Sequence, residues 1–416
     1  MHIRSIFLAM LLAAGPAAAQ NSWITASDTA LRYLKSVAPG MVTVRASAMV
    51  RSGDAGIVQA TEQVHLLEVR ATDVALLSMA LHHGLGHCGG FAHHASEADG
   101  LRTLARADAV PLAALGRPAY LIANQAVVAP MLAQMHEDRL AQTIVTLSAF
   151  VNRYYSSAHG AAASDWLKKT WAELGAGRDD ISVEQFAHDG YKQQSVIATI
   201  RGSERGDEVL VLGAHLDSIN IGGNRETSLA PGADDDASGV AGLTEVLRVM
   251  VASGYRPRRT IKLMGYAAEE VGLRGSQDIA RDFKKRGVNV LGVLQLDMIN
   301  YKGSTADITI FTDYTDSLQN AFLGRLIQAY LPALTVSTDK CGYACSDHAS
   351  WNAQGYAASM PFESSMRQDN PHIHTIRDTF ASSGNQAAHA LKFTRLAAAF
   401  AVELGSEVVA PQPPAK

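Results

Sequence analysis

Acidic and histidine side chains interrupt apolar, strand-like runs at four places between residues 209 and 300. Three of these runs read VLVLGAHLD, TIKLMGYAAEE and VLQLDMIN, and the acidic loop PGADDDASG at 231–239 lies between the first two. A buried carboxylate is costly unless a cation or a hydrogen-bonding partner compensates it. The pattern therefore predicts a bound metal.

The donor types in these segments indicate which metal. The candidate ligands are two imidazoles and three carboxylates without a thiol: His215, Asp235, Glu270, Asp297 and His374. Such a set suits zinc or a similar divalent ion. Two ions about 3.5–4 Å apart can share a carboxylate, and Asp235, between Asp234 and Asp236, is the best candidate for that bridge. Glu269 is adjacent to Glu270, and adjacent residues at a strand end or turn point in different directions, so one is expected to bind metal while the other transfers protons.

Each of these residues has an ordinary structural interpretation when it is taken alone. A histidine after a strand is usually hydrogen bonded, three consecutive aspartates usually form a solvated turn, and two glutamates usually cap a helix. Their coincidence at strand ends, with Asp217 two residues after His215, favours a metal site. His348 and His372 compete with His374 as the fifth ligand.

The segments GAHLDS, PGADDDASG, YAAEEVGLRGSQD, LQLDMINYKGS, CGYACSDHASW, MPFES and NPHIHTIRDT together resemble the secreted bacterial leucyl aminopeptidases. This family consists of two-zinc exopeptidases, and the resemblance runs from roughly residue 120 to residue 408. It implies that His215 and Asp297 hold one zinc, that Glu270 and His374 hold the other, and that Asp235 bridges them. Of the three candidate histidines, the resemblance indicates His374 as the fifth ligand, because HTIRDT matches the family motif. Hydrogen-bonding or structural roles are then expected for His348 and His372.

The resemblance also implies roles around the metals. Glu269 matches the general base, and Asp217 matches a carboxylate that orients His215. The bond between Asp235 and Asp236 is expected to be a cis peptide. Tyr343 is a candidate donor to the developing oxyanion, on its position alone.

A pocket for the first side chain of the substrate is implied next to the ligands. Its expected lining is Met298, Cys341, Cys345, Phe362, Met366 and Ile373, together with Tyr343, and Cys341 and Cys345 are expected to form a disulfide. Ordinary core packing is the alternative for Met298 and Met366. Cys88 is left over, and we interpret it as a buried free thiol.

The implied activity is hydrolysis of the N-terminal peptide bond of peptides or proteins, with leucine and other large apolar residues preferred. Two alternatives stay open at this point. One is a zinc carboxypeptidase or glutaminyl cyclase of the same fold, and the other is a non-catalytic binding module that has lost its metals.

Composition limits the partners and the location of the protein. The chain has 416 residues, 47% of them hydrophobic, and a net charge of -4, so it can bury a large core and lacks the basic excess that nucleic acid requires. Residues 1–19 read as a secretory signal peptide, and no later run has the length of a membrane span. We expect a secreted, extracellular or periplasmic monomer without nucleic-acid or membrane partners.

The chain divides into segments with different patterns. Residues 20–118 are expected to form a small α+β pro-segment that chaperones or inhibits the rest, with His82, His83, His87, His93 and His94 in a solvated loop or, alternatively, a metal site. Residues 119–408 alternate strands and helices, which predicts an α/β domain with a mixed, mainly parallel sheet covered by helices on both faces, the zinc exopeptidase fold. The candidate ligands fall at carboxyl ends of strands, where ligands collect in such sheets. Residues 409–416 are expected to be a disordered tail.

Overall fold

A computed structural model describes residues 21–52, 59–85, 90–107 and 117–406 of the chain. Residues 1–19, expected to be a signal peptide, residues 409–416, expected to be a disordered tail, and Cys88 and His87 lie outside the described residues. The strands are β1 (Asn21–Ser27), β2 (Thr43–Ser52), β3 (Gln59–Arg70), β4 (Ala92–His94), β5 (Ile181–Phe186), β6 (Ser195–Ile200), β7 (Arg205–His215), β8 (Arg259–Tyr266), β9 (Asn289–Gln295), β10 (Ile308–Phe311), β11 (Val336–Asp339), β12 (Ala358–Ser359) and β13 (Pro361–Phe362). The helices are α1 (Asp28–Val37), α2 (Val74–Leu85), α3 (Glu97–Ala107), α4 (Gln125–Ala133), α5 (Glu137–Ser148), α6 (Ala158–Leu174), α7 (Ala237–Ala252), α8 (Arg274–Lys285), α9 (Ser317–Tyr330), α10 (His348–Ala353) and α11 (Ala388–Ser406).

The amino-terminal segment is a small α+β unit, as its sequence pattern predicts. Its four strands form an antiparallel sheet in the order β2-β3-β1-β4. Ile24 and Leu67 of this sheet and Leu34, Leu77 and Leu81 of helices α1 and α2 are fully or almost fully buried in one cluster. The segment therefore has a hydrophobic core of its own.

The large sheet has six strands in the order β12-β9-β7-β8-β6-β5. Strands β12, β9, β7 and β8 are parallel, whereas β6 and β5 add antiparallel pairs at one edge. The prediction of a mixed, mainly parallel sheet is thus confirmed. Strands β10, β11 and β13 form a separate three-stranded sheet.

Helices cover both faces of the large sheet. Along β7, Leu210 and Leu212 belong to the cluster that helices α5, α7 and α11 complete, while Val209 and Val211 face a second cluster that includes Phe283 of α8. Alternate side chains of a strand point to opposite faces, so a strand buried on both faces is apolar throughout. This explains the continuous apolar runs that precede the candidate ligands.

One predicted helix is shorter than its apolar spacing indicates. The spacing in residues 140–155 favours a helix across the whole stretch, but α5 ends at Ser148. Beyond it the Asn152 amide donates hydrogen bonds to the carbonyls of Glu226 and Ser228, and Arg153 donates to the carbonyl of Leu216. These tertiary hydrogen bonds take the chain out of the helical path. Within the described ranges, no helix is both long and apolar enough to cross a membrane.

Candidate metal centre

The candidate ligands lie at the carboxyl ends of neighbouring parallel strands in the large sheet. His215 is the last residue of β7, Glu270 follows the end of β8, and Asp297 follows the end of β9. These three strands are neighbours, so their carboxyl ends lie side by side. Asp235 lies just before helix α7, and His374 lies in the loop between β13 and α11.

Asp235 stands between the two histidines. Its Oδ1 lies 2.8 Å from Nε2 of His215, and its Oδ2 lies 3.0 Å from Nε2 of His374. Glu270 Oε2 is 2.7 Å from the same nitrogen of His374, and Asp297 Oδ1 is 3.5 Å from Nε2 of His215. Both histidines therefore contact Asp235. Each also contacts one further carboxylate, that of Asp297 for His215 and that of Glu270 for His374. All five side chains are buried.

The three consecutive aspartates have different environments. Asp236 accepts backbone N–H groups on both oxygens, from His215 at 2.9 Å and from Gly239 at 2.8 Å, and it caps α7. Asp234 accepts the N–H of Asn300 at 2.9 Å. Asp235 is left to face the histidines. The peptide bond between Asp235 and Asp236 is cis, which confirms the prediction for this bond.

Asp236 also lies close enough to His215 and Asp297 to form a three-donor group with them, beside the group formed by Asp235, Glu270 and His374. Because backbone amides already occupy its carboxylate, we assign Asp236 to positioning the backbone of His215. Asp235, with one oxygen toward each histidine, is the better donor for both groups.

Asp217 holds two segments of the site together. Its carboxylate accepts the backbone N–H of Glu269 at 2.9 Å and that of Glu270 at 3.2 Å. The Nδ1 of His215 lies 3.1 Å from the backbone carbonyl of Asp217 and 3.6 Å from its carboxylate. The expected orientation of His215 by Asp217 thus involves its carbonyl oxygen, and the carboxylate holds the turn that carries the two glutamates.

Glu269 is buried, as is the adjacent candidate ligand Glu270. Burial raises the pKa of its carboxyl well above the ordinary range, and the negative charges of Asp297 and Asp347 raise it further, against the opposing effect of His215. The backbone around it is unusual. Ala268, directly before Glu269, has a φ of 57°, and so has His374, while Met298, directly after Asp297, has a φ of 53°. Left-handed backbone at non-glycine residues is concentrated at functional sites because surrounding contacts must enforce it.

The donor atoms fit a pair of divalent ions. Within the part of the chain that the structure describes, Oε1 of Glu270 is buried without a hydrogen-bond partner, and Oδ2 of Asp235 and Oε2 of Glu270 are buried with Nε2 of His374 as their close contact. Buried carboxylate oxygens without donors are costly, and a cation between them and the imidazoles removes that cost. Nitrogen and oxygen donors without thiolate suit zinc.

The residues expected to line a pocket lie together next to this centre. Met298, Cys341, Tyr343, Cys345, Phe362 and Ile373 belong to one buried cluster, against which Met366 packs. Cys341 and Cys345 form the expected disulfide, with their Cα atoms 6.1 Å apart. Asp313 accepts the N–H groups of Cys341 and Gly342 and thereby fixes the disulfide loop.

The histidines outside the ligand set have other surroundings. His348 is fully buried at the start of α10, where burial lowers its pKa to about 3. The backbone N–H of His372 donates to the side chain of Asn370 at 3.0 Å. Neither belongs to a group of potential metal donors among the described residues.

The interpretation of the amino-terminal histidines as a solvated loop is wrong for three of them. His94 is buried in β4, with Nε2 2.9 Å from the hydroxyl of Thr25. The N–H of His93 donates to the carbonyl of Gly272, and Nδ1 of His82 lies 3.0 Å from Nδ1 of His374. His82 and His93 lie next to the site only because they contact His374 and Gly272, which are far from them in sequence. No pattern in the sequence predicts these contacts. His83 is exposed, as expected of a solvated residue.

Comparison with known proteins identifies the family. A model of peptidase family M28 matches residues 195–399. Leucine aminopeptidase 1 of Coccidioides posadasii is 37% identical over 297 residues, which are 68% of this chain and 75% of that protein. Leucine aminopeptidase 1 of Grosmannia clavigera is 39% identical over 291 residues, 67% of this chain and 70% of that protein. The chain belongs to peptidase family M28 and is a metallo-aminopeptidase of that family.

Solved structures agree with this assignment. The LapA aminopeptidase of Legionella pneumophila has a TM-score of 0.75 and 28% identity, over 94% of this chain and 100% of that one. The structural likeness therefore reaches beyond residues 119–408 into the amino-terminal segment. A glutaminyl cyclase of Fimbriiglobus ruber has a TM-score of 0.54 and 15% identity, over 65% of this chain and 96% of that one, which shows a shared fold alone.

Proposed function

We propose that this protein is a secreted aminopeptidase that uses two zinc ions to remove leucine and other large apolar residues from the N-termini of peptides and proteins. The observation that carries the proposal is the position of Asp235, which directs one carboxylate oxygen toward each of two buried histidines. Two dications side by side need an anionic bridge between them.

The five donors divide between the two ions as their contacts suggest. His215 and Asp297 would hold one zinc, Glu270 and His374 would hold the other, and Asp235 would bridge both. Zinc bound there supplies Lewis acidity and lowers the pKa of water toward neutrality.

Glu269 is the residue of this chain that moves protons. It takes a proton from the attacking water and later donates it to the nitrogen of the leaving amine, so one proton is received and one is delivered in each turnover. Burial supports this role, because it brings the pKa of the carboxyl up from its ordinary value. Asp217 keeps Glu269 in place by accepting its backbone N–H. Tyr343, buried among the pocket residues, is the proposed donor to the oxyanion.

The pocket cluster accounts for the proposed preference for leucine. Met298 follows Asp297 directly and Ile373 precedes His374, so the pocket begins beside the ligands. An apolar pocket gains about 0.8 kcal/mol for each buried methylene. Three additional carbons would favour leucine over alanine by roughly 2.4 kcal/mol, or about 50-fold in kcat/KM.

Contacts of the amino-terminal segment support an inhibitory role for residues 20–118. His82 of α2 contacts the proposed ligand His374, with ring centroids 4.5 Å apart. His93 of β4 donates a hydrogen bond to Gly272, two residues after Glu270. Arg281 of α8 pairs with Asp99 of α3 at 3.1 Å. A segment held at these three points lies against the catalytic loops and hinders access of a substrate.

The test combines metal content with activity on the protein as exported and processed. We expect about two zinc ions per chain and hydrolysis of leucine p-nitroanilide, with alanine p-nitroanilide cleaved about 50-fold less efficiently. Acetyl-leucine p-nitroanilide serves as the control because it has no free amine. Its hydrolysis at a similar rate, or zinc-free protein with full activity, would contradict the proposal.

Substrates of the alternative enzymes complete this test. Cyclisation of an N-terminal glutamine would favour a glutaminyl cyclase, and release of a C-terminal residue from an N-terminally blocked peptide would favour a carboxypeptidase. The state in solution, which we propose to be monomeric, is measured on the same sample by light scattering.

A further inference from the structure

Asp378 binds the loop that carries the proposed bridging ligand. We call this loop, residues 231–236, the bridging loop. The carboxylate of Asp378 is buried and accepts the backbone N–H of Asp234 on Oδ1 at 3.2 Å and that of Asp235 on Oδ2 at 3.1 Å. The backbone carbonyl of Asp378 accepts the N–H of Ala233 at 3.1 Å. Three consecutive N–H groups of the bridging loop are therefore bound by this one residue.

Arg153 binds the same loop through groups of the opposite kind. Its guanidinium donates to the carbonyls of Pro231 and Gly232, which come just before those three N–H groups. Buried backbone N–H and C=O groups need partners, because an unpaired one costs free energy comparable to a lost hydrogen bond. With carbonyls bound at its start and N–H groups bound after them, the bridging loop is held in one conformation, which orients the carboxylate of Asp235.

Asp378 is also joined to the second histidine of the site. It lies four residues after His374, and its backbone N–H donates to the carbonyl of Thr375 at 3.2 Å, which closes a turn directly after His374. The side-chain amide of Asn370 donates to the carboxylates of both Asp234 and Asp378, at 3.2 and 3.0 Å. The bridging loop and the loop of His374 are thus held to each other by Asp378 and Asn370.

The connection of the bridging loop to the first histidine is independent of Asp378. The carboxylate of Asp236 accepts the backbone N–H of His215 at 2.9 Å and also caps α7. Asp235 directly precedes Asp236 in the chain. The bridge therefore has its own anchor toward His215, whereas toward His374 it depends on Asp378.

We propose that Asp378 is a positioning residue for one of the two zinc ions, the second ion, which Asp235, Glu270 and His374 would hold. It acts through the backbone of the bridging loop and does not bind metal itself. Residues that hold metal ligands in place typically contribute about 10–100-fold to metal affinity or activity. The proposal rests on the two-zinc function proposed above, and it assigns the effect of Asp378 to the second ion alone.

Zinc titration of the full-length protein measures both sites. Metal is removed with a chelator, and zinc is returned in competition with a chromophoric zinc indicator. We expect the unaltered protein to bind two zinc ions tightly. Asp378→Asn replaces one accepting oxygen with an amide group, so this variant should bind the first ion as before and the second about 10–100-fold more weakly.

Glu403→Gln is the matched control for the loss of a buried carboxylate. Glu403 of α11 is fully buried and, like Asp378, accepts two backbone N–H groups and the amide of an asparagine. The donors are the N–H of Ala123 at 3.0 Å and the N–H and Nδ2 of Asn124 at 3.1 and 2.7 Å. The segment that Glu403 holds contains none of the proposed ligands. Urea denaturation should show a loss of stability for both variants, but Glu403→Gln should bind both zinc ions with unaltered affinity.

His374→Ala identifies the ion that Asp378 positions. This variant lacks a ligand of the second ion, so the zinc that it still binds tightly is the first one. Adding Asp378→Asn to His374→Ala should leave the affinity for that remaining ion unchanged. Asn370→Ala removes the amide that joins the two loops and should weaken the second ion severalfold, and it decides the question in the same way if Asp378→Asn does not fold.

The zinc dependence of activity provides a second measurement. A specific protease site is inserted between residues 107 and 117 of the full chain, which is folded, cut and assayed at high dilution so that the amino-terminal segment is released. Hydrolysis of leucinamide is then followed as zinc is added. Asp378→Asn should need about 10–100-fold more zinc for half of its maximal rate and should approach the unaltered kcat at saturating zinc. Glu403→Gln should show no change in the zinc requirement.

The outcomes separate the two levels of the proposal. If the unaltered protein binds fewer than two zinc ions, or if the cut protein does not hydrolyse leucinamide, the proposed function fails. If two ions bind but Asp378→Asn retains both with unaltered affinity or loses both equally, Asp378 does not position the second ion. The same conclusion follows if Glu403→Gln weakens zinc binding to the same extent, or if Asp378→Asn weakens the ion that remains in His374→Ala. Selective weakening of one ion by Asp378→Asn supports the proposal.

Discussion

Oδ1 of Asp217 accepts the backbone N–H of Glu269 at 2.9 Å, which ties the end of β7 to the turn after β8. The same carboxylate accepts the N–H of Glu270 through its other oxygen. The backbone of both glutamates is therefore fixed by one residue, and their side chains are free to serve different purposes. This arrangement underlies the proposed separation of metal binding, by Glu270, from proton transfer, by Glu269.

His82 is expected to keep the unprocessed chain inactive. His82→Ala removes its contact with His374, and the loss of about 1 kcal/mol corresponds to a roughly fivefold increase in the population of chains with an open site. Activity of the uncut chain toward leucinamide should rise by that factor, while activity after cutting stays the same. His83→Ala is the control, since the neighbouring His83 is exposed. An equal rise for both variants, or none for His82→Ala, would argue against the contact as an inhibitory one.

Release of the amino-terminal segment should become easier in acid. Burial lowers the pKa of His94 to about 4 and that of His93 to about 3. In the unfolded segment both titrate near 6.5, so the folded segment keeps its full stability above that pH and loses it as the pH falls toward 4. Each histidine changes the equilibrium constant for release of the segment by at most about tenfold per pH unit.

The measurement is the fraction of cut segment that stays bound in gel filtration between pH 7.5 and pH 4.5. The double variant His93→Gln, His94→Gln removes both titrating groups and should retain the segment with a weaker dependence on pH. Binding of the unaltered segment that is independent of pH over this range would show that the two imidazoles do not control release.

Arg153 is expected to be essential for the stability of the site. It is fully buried and donates to the carbonyls of Leu216, Pro231 and Gly232 at 2.8, 2.6 and 2.8 Å. These carbonyls belong to the loops that carry Asp217 and Asp235. Arg153→Met removes these donors, and of the three carbonyls only that of Gly232 keeps another one among the described residues, the N–H of Ala237. The substitution should lower the free energy of unfolding by about 3–5 kcal/mol.

Urea denaturation measures this change, and retained zinc is measured on the same protein. Arg256→Met is the control, because Arg256 is half exposed, pairs with the exposed Asp179, and leaves its second partner Asp180 still bonded to Arg178. Surface pairs of that kind contribute about 0–1 kcal/mol. Similar losses for both variants would mean that the hydrogen bonds of Arg153 have no special importance.

The fold and the candidate ligands were largely predictable because both depend on local pattern. Continuous apolar runs predict strands buried on both faces, and parallel strands bring their carboxyl ends together, so His215, Glu270 and Asp297 could be expected at one edge. The bridging role of Asp235 depends on more than pattern. Among three consecutive aspartates, only the backbone amides that occupy Asp234 and Asp236 distinguish their roles, and those amides come from distant segments.

Other features depend on contacts that no local pattern contains. His82 lies 292 residues from His374, so its place beside the metal centre requires the docked amino-terminal segment. Helix α5 ends at Ser148 rather than continuing to Tyr155 because Asn152 and Arg153 bond to carbonyls of the loop after β7. In both cases tertiary hydrogen bonds prevail over the preference of the local sequence.

Glu269 is proposed to transfer protons while Asp235 holds the metals, and zinc content measured together with the turnover of two variants distinguishes these roles. Glu269→Gln should retain the zinc and the fold of the unaltered protein and lose turnover of leucine p-nitroanilide by about 10²–10⁴-fold. Asp235→Asn should lose zinc, because it removes the anionic bridge between two dications. If Glu269→Gln turned over at the unaltered rate, or lost zinc as readily as Asp235→Asn, the proposed division between the two residues would be wrong.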